Sequence, residues 1–459
     1  MKKRFAIILA AGKGTRMKSK KAKVLHPILG RPMVEYIIKG LQDNHIDIKV
    51  SVVGHGKDQV MNAIGKQTEF VTQNEQLGTA HAVIQAKEIL KDKEGTTIIV
   101  CGDTPLIKPE TIESLFQYHE SSLSEGTILT ANMSNPFGYG RVVRDNNGEV
   151  ERIVEEKDAN ENEKLINEVN TGTYCFDNEA LFNALERVNN ENAQGEYYLT
   201  DIIEILREQS RKISAFVCED TNETMGINDR VALANAEKEM KRRINENHLI
   251  NGVSILAPDN TYIGPDVTIE QDVTILPGTM INGLTHIKTG SIIGPNSEIV
   301  NCTIGQHSVI RQSVVKDSKI GNEVNVGPFA HIRPDTTIGN EVRIGNFVEV
   351  KKSDIGNESK VSHLSYIGDA ELGKDVNVGC GTITVNYDGV NKHKTVIENH
   401  SFIGCNTNLL APVTIGKNSF VAAGSTINRD VPQDALAIGR AKQVNKEDYA
   451  TRIKNKSKK

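Results

Sequence analysis

The segment IGPDVTIEQDVTILPGTMINGLTHI, residues 263–287, decides how the C-terminal part of this chain folds. Ile263, Ile269, Ile275, Ile281 and Ile287 recur at every sixth position. A helix repeats its face about every 3.6 residues and a lone strand about every two, so neither explains the period. A coil of short flat strands does, with one inward residue and one turn per face. Units of this kind bury their apolar side only against their neighbours, which makes a solenoid. The row continues through Ile293, takes a few five-residue steps, and resumes at Ile320, Val326, Ile332, Ile338, Ile344 and Val350. It runs on through Ile355, Val361, Ile367, Leu372 and Val378, then Ile397, Ile403, Leu409, Ile415, Val421 and Ile427. A parallel β-helix of hexapeptide repeats is therefore expected within residues 251–459. Its last eighteen residues are Lys-rich and read as a solvated, flexible or loosely docked tail. Between Val378 and Ile397 the stretch GCGTITVNYDGVNKHKT breaks the period, and such an insertion is expected as a loop on a binding face.

Upstream, residues 1–228 alternate aliphatic runs with helical patterns. Strands are expected at 5–10, 49–53 and 96–100, and helices at 32–43 and 79–90. That order predicts an α/β domain of Rossmann-like layering, a mostly parallel sheet covered on both faces. Residues 229–250 read as one polar helix linking the two parts.

At 459 residues the chain exceeds one ordinary core. The net charge of -5 argues against a nucleic-acid partner, and the lack of tryptophan against a base-stacking platform. Six cysteines without a C-x-x-C pattern read as scattered reduced thiols. The apolar run after Met1-Lys2-Lys3-Arg4 is short and is followed by Lys13, Arg16, Lys18, Lys20 and Lys21, so it reads as a buried first strand rather than a secretory signal. No stretch is apolar enough for a membrane span, and a cytoplasmic enzyme is expected.

Two sets of residues carry chemistry. The first strand ends in Leu9-Ala10-Ala11-Gly12-Lys13-Gly14-Thr15-Arg16-Met17. Small residues admit a ligand close to the backbone, whose N–H groups can cradle an anion, and Arg16 and Lys23 add fixed positive charge. The stretch matches neither a dinucleotide fingerprint nor a Walker loop. Asp103 follows the strand at 96–100, where an aspartate suits Mg²⁺ held against substrate phosphates. Gln73, Gly78 and Thr79 suit base recognition by side-chain amide and backbone, without fixing which base. The solenoid carries polar residues that its packing does not need: Arg333, Lys351, His363, Tyr366, Asn377, Asn386, Tyr387 and Lys392. A neutral His363 could take a proton from an attacking amine, and the three cations suit a sugar phosphate.

The Gly14-Thr15-Arg16-Met17 run with Lys23 and Asp103 resembles the sugar-1-phosphate nucleotidyltransferases, and the solenoid resembles acyltransferases that use acetyl-CoA. Joined in one chain, they are similar to the bifunctional N-acetylglucosamine-1-phosphate uridylyltransferase / glucosamine-1-phosphate N-acetyltransferase family. The resemblance implies acetylation of glucosamine 1-phosphate by acetyl-CoA, then transfer of UMP from UTP with release of pyrophosphate. The product, UDP-N-acetylglucosamine, would feed peptidoglycan, teichoic acid and other cell-envelope precursors.

It further implies that Leu9, Ala10, Ala11, Gly12, Lys23, Gln73, Gly78 and Thr79 bind the nucleotide. Gly140, Glu155 and Asn170 would hold the sugar, Asp103 and Asn228 would bind one or more Mg²⁺, and Arg16 would stabilise pyrophosphate. In the solenoid, implied to be left-handed, His363 would be the general base, with Glu349 orienting its ring. Arg333, Lys351, Tyr366, Asn377 and Lys392 would hold the sugar phosphate. Cys380, Asn386, Tyr387, Cys405, Ala423 and Arg440 would line the acetyl-CoA site. Cys405 stands where the family commonly has serine; a thiol nucleophile is conceivable there, with direct attack by the amine preferred. A homotrimer with shared acetyl-transfer sites is implied. Two other readings stay open: a single-function nucleotidyltransferase for another sugar, whose solenoid only oligomerises or regulates, and a non-enzymatic assembly or regulatory subunit of the same fold.

Overall fold

The computed structural model describes residues 2–456; Met1 and residues 457–459, the end of the Lys-rich tail, lie outside the described residues. The chain forms two compact units, Met1–Lys241 and Arg242–Lys459.

The first unit is built on a mixed sheet. Its strands are β1 (Arg4–Ala10), β2 (Ile48–Val53), β3 (Glu69–Thr72), β4 (Thr96–Cys101), β5 (Gly126–Asn132), β6 (Arg141–Arg144), β7 (Val150–Val154), β8 (Glu168–Asp177) and β9 (Ile213–Val217). The order across the sheet is β9-β5-β8-β4-β1-β2-β3, with the β6–β7 hairpin attached at β8. β1 to β4 are mutually parallel, whereas β8 enters antiparallel between β4 and β5.

Alternation along β1 explains the two-sided burial. Phe5 and Ile7 join a core with Ala80, Val83, Leu181 and Phe182, while Ala6, Ile8 and Ala10 join another with Val34, Ile37, Leu41 and Leu115. The partners come from α1 (Met33–Asp43) and α3 (Pro109–Ser122) on one face. On the other face they come from α2 (Thr79–Ile84) and α4 (Asn178–Leu185).

The expected helix over 79–90 is interrupted. Gln85 and Ala86 donate to carbonyls three residues back, Ala82 and Val83, and the Gln85 amide donates to the His81 carbonyl at 2.9 Å. The side chain thereby takes the acceptor that a continuing helix would give to a backbone N–H. A further helix, Lys87–Leu90, follows.

The helix Arg230–Ile250 is continuous, and the compact units part within it. The second unit holds three parallel sheets of eleven, ten and nine strands, stacked as in a left-handed β-helix. Each strand pairs one coil onward: Ile275 with Ile293, Ile281 with Ile299, Ile287 with Ile304. The inward row is sealed, with Ile263, Ile281, Ile299, Ile332, Ile367 and Ile403 all at 0% exposure. Burial of one such side chain contributes roughly 1.5–3 kcal/mol.

Sharp corners require left-handed backbone, and Asn296, Asn301 and Asp317 supply it at φ 50, 53 and 45°. At other turns asparagine amides bridge successive coils. Asn340 Oδ1 accepts from the Asn322 N–H, and Asn357 Oδ1 from the Asn340 N–H, each at 2.8 Å.

The break expected after Val378 is shorter than the sequence suggests. Ile383–Val385 is a regular rung whose inward residue is Thr384, fully buried, with its hydroxyl donating to Gly368 O at 3.1 Å. A threonine satisfied in this way does not interrupt packing, but it hides the rung from an aliphatic count. The inserted loop is residues 386–394. Part of the expected tail is helical, an exposed α-helix at Tyr449–Lys456. Among the described residues no helix is long and apolar enough to cross a membrane.

Candidate functional site

At the carboxyl ends of β1 and β4 the backbone closes on itself, with the Gly102 N–H donating to Leu9 O at 2.9 Å. Gly14 takes left-handed φ 60° and lies so close to Lys23 that a Cβ there would stand 2.6 Å from the Lys23 Cβ. The glycine is therefore needed to seat Lys23. Gly12 differs: a Cβ there would meet nothing within 4 Å, so the space beside it is open. Arg16 is exposed on the short turn Thr15–Met17.

Lys23 Nζ pairs with Asp103 and donates to Asn228 Oδ1 at 2.6 Å. The Asn228 segment is held there by the Ile227 N–H, which donates to Asp103 O at 2.9 Å. Three residues far apart in sequence thus share one centre. Two of them present oxygens to a single positive charge, a donor set that fits Mg²⁺ with substrate phosphates completing the shell. Neighbouring Cys101 is no thiolate, since burial pushes its pKa up to about 12.

Gln73 is buried, its Nε2 donating to Gly78 O at 3.1 Å and lying 3.1 Å from His81 Nδ1. Thr79 Oγ1 accepts from the Leu199 N–H at 2.9 Å. Ala10 and Ala11 are buried and Leu9 half-buried. Gly140 O accepts from the Asn170 N–H at 2.8 Å, and Asn170 Nδ2 donates to Tyr174 Oη at 2.7 Å. A Cβ on Gly140 would stand 3.4 Å from Glu155 Oε1, so these three residues are neighbours. Glu155 faces a cavity of about 700 Å³ with Asp158, Asp201 and Glu204. Burial raises its pKa, and the charges of Asp158 and Asp201 raise it further. Asp201 is pushed up to about 6 by burial and then by Glu204 and Asp158. Arg141, which carries no expectation from the sequence, is buried and pairs with Glu156 at 2.8 Å; Glu156 also accepts from the Gly138 N–H at 3.0 Å. That pair fixes the Gly138-Tyr139-Gly140 turn.

In the solenoid the register sets the site. Asn346 pairs with His363, and the Gly381, Asn406 and Gly424 N–H groups donate to the carbonyls of His363, Cys380 and Cys405. One corner therefore stacks Asn346, His363, Cys380, Cys405 and Ala423 on successive coils, with Arg440 beside Gly424. His363 Nδ1 lies 3.0 Å from Asn346 Oδ1. That oxygen can only accept, so Nδ1 carries the proton and Nε2 keeps the lone pair of a base.

Glu349, expected to orient that ring, has a different partner in the structure: its Oε1 accepts from Arg333 at 2.7 Å, while Nδ1 of the ring lies against Asn346. The reason is geometric, since Glu349 belongs to the next face of the coil, in register with Tyr366. Asn346 was legible by counting rungs: Val361, Ile355, Val350 and Ile344 lead back one coil, and 346 then lies beside 363.

Arg333 and Lys351 follow one another on adjacent coils of that face, and the Arg333 N–H donates to Val350 O at 2.8 Å. The Lys392 ammonium, then the Arg333 charge, lowers the Lys351 pKa, while Asp369 opposes them. Asn386 is buried and donates to Asp369 and, at 3.4 Å, to Tyr366 Oη. Tyr387 and Lys392 bridge the inserted loop. Asn377, half-buried, stands beside Lys360 and Phe402 in register.

Comparison with known proteins agrees with this division. A family model for nucleotidyl transferase matches residues 5–229, and one for bacterial transferase hexapeptide (six repeats) matches 317–352 and 394–429. The chain is 60% identical over 454 residues to the "Bifunctional protein GlmU" of Oceanobacillus iheyensis, covering 99% of this chain and 100% of that one. It is 59% identical over 453 residues to the protein of the same name from a Geobacillus strain, covering 99% of each. To that of Bacillus subtilis it is 57% identical over 456 residues, covering 99% and 100%.

Proposed function

The chain belongs to the bifunctional GlmU family, and from that premise we propose how its two units divide the work. It is a bifunctional enzyme of UDP-N-acetylglucosamine synthesis, with a uridylyltransferase domain and a hexapeptide acetyltransferase domain. The solenoid acts first. The amine of glucosamine 1-phosphate attacks the thioester carbonyl of acetyl-CoA, the C–S bond breaks, and His363 Nε2 takes the amine proton and returns it to the departing thiolate. Arg333, Lys351, Tyr366, Asn377 and Lys392 hold the sugar phosphate. Cys380, Asn386, Tyr387, Cys405, Ala423 and Arg440 line the acetyl-CoA path. Direct attack is favoured over a Cys405 acyl intermediate. Cys380 lies between His363 and Cys405 in the corner stack, so His363 stands two coil spacings away, about 10 Å.

In the α/β unit a phosphate oxygen of N-acetylglucosamine 1-phosphate attacks the α-phosphorus of UTP and pyrophosphate leaves. Positioning and charge neutralisation suffice for such a transfer. Leu9 to Gly12 and Lys23 cradle the triphosphate, Gln73, Gly78 and Thr79 hold the base, and Arg16 receives the leaving charge. Gly140, Glu155 and Asn170 orient the sugar. Mg²⁺ held by Asp103 and Asn228 would supply further neutralisation of the phosphates. The division of labour follows domains at 1–228 and 251–459 joined by 229–250. A homotrimer with shared acetyl-transfer sites and a cytoplasmic location complete the reading.

The observation that supports it is the His363 ring, with Nδ1 3.0 Å from Asn346 Oδ1, on a coil whose next face carries Tyr366 in register beside the strand of Lys351. The test follows free thiol and pyrophosphate together, with glucosamine 1-phosphate, acetyl-CoA, UTP and Mg²⁺. Pyrophosphate release that depends on acetyl-CoA supports the two-step order. Pyrophosphate without acetyl-CoA overturns it.

A further inference from the structure

Within the acetyltransferase reading, we infer that Asp369 is a positioning residue: it clamps the root of the inserted loop and thereby sets Lys392 against Lys351 and Arg333. Asp369 occupies a left-handed corner, φ 47°, and its side chain is 11% exposed. Its carboxylate lies 4.0 Å from Lys352 Nζ, and three hydrogen bonds join the residue to its surroundings. Its N–H donates to Lys351 O on the preceding coil at 3.0 Å. Its carbonyl accepts from the Thr395 N–H, where the loop returns to the stack, at 3.1 Å. Its carboxylate accepts from Asn386 Nδ2, where the loop leaves. One residue therefore joins both ends of the loop to the strand that carries Lys351.

The loop beyond this root is internally tied. The His393 N–H donates to Asn386 O at 2.8 Å, Tyr387 bridges Lys392, and Asp388 accepts from the Val390 and Asn391 N–H groups at 2.8 and 2.6 Å. A hairpin stiffened in this way moves as a piece, so the position of Lys392 is set where the hairpin is anchored. Lys392 needs an anchor, because its ammonium faces that of Lys351. An arriving phosphate relieves that repulsion, and until then a hydrogen bond to a charged, largely buried acceptor opposes it.

The experiment compares Asp369→Ala and Asp369→Asn in the full-length protein, by thiol release and by pyrophosphate release from N-acetylglucosamine 1-phosphate and UTP. Asparagine keeps an acceptor for Asn386 and loses only the charge. The expected result is a KM for glucosamine 1-phosphate raised about tenfold by alanine and less than about threefold by asparagine, with kcat little changed. Tryptic cleavage after Lys392 and Lys394 should quicken in the alanine variant alone, and pyrophosphate release should be unchanged in both. An unchanged KM in Asp369→Ala overturns the inference. Equal defects in the two variants also overturn it, since charge rather than the clamp is then what matters. If the alanine variant loses the solenoid fold, normal kinetics in Asp369→Asn still support the clamp and a loss there still overturns it. Wild-type protein that releases no thiol defeats the acetyltransferase reading itself, a result distinct from all of these.

Discussion

The two catalytic regions reach proximity by opposite means. Lys23, Asp103 and Asn228 lie in three distant segments, and the order of the sheet brings them to one point. Asn346, His363 and Cys380 lie on successive coils of one stack, and a fixed register brings them together. A site made by topology depends on cores remote from it, whereas a site made by a ladder depends on the rungs directly above and below. The difference teaches where each site is fragile. The first should fail through its shared centre, and the second residue by residue along its column.

The sharpest test of that contrast is His363→Ala. Thiol release should fall by about 10²–10⁴, the usual value of a positioned general base, while pyrophosphate release stays intact. If both fall together, the regions are not independent. Asp103→Asn should give the mirror result: pyrophosphate release lower by about 10²–10³ and thiol release unaffected, because a carboxylate is lost from the charge-neutralising centre.

Asn346→Ala probes the column one rung away. It removes the acceptor that selects the His363 tautomer, so kcat for acetyl transfer should drop about tenfold with KM unchanged. Glu349→Gln should instead act on KM, through Arg333. A kcat effect from Glu349 equal to that from Asn346 would break the assignment of the orienting residue.

The smallest expected effect concerns Asp201. Its folded pKa is raised from 3.8 to about 6, so the folded state holds a proton that the unfolded state has released. Stability therefore falls as pH rises between those values. Asp201→Asn should stabilise the α/β unit by about 1 kcal/mol above pH 6, after allowance for solvent screening, and should leave it unchanged at pH 3.5. Calorimetric melts at the two pH values decide it.

Much of this was legible in the chain. The six-residue row from Ile263 to Ile427 specifies the solenoid, because the same residue type must return wherever a flat face turns inward. Of the residues that meet in the α/β unit, Lys23 and Asp103 are named from their own chemistry and Asn228 only through a family resemblance; spacing alone places none of them together. Two residues are hard to read from the chain, for different reasons. At Thr384 a satisfied hydroxyl replaces an aliphatic side chain in the core, and Asn346 meets His363 because rungs, rather than neighbours in sequence, define contact.

The order of residues was enough to specify the periodic fold, the alternation of strands and helices upstream, and the types of chemistry each part could support. Periodicity and residue chemistry are local properties, written residue by residue. Only folding brings Lys23 between Asp103 and Asn228, sets Asn346 against the His363 ring and Glu349 against Arg333, and joins both ends of the loop at Asp369. Those are facts of register and packing, and they exist only once the coils are stacked and the sheet is ordered.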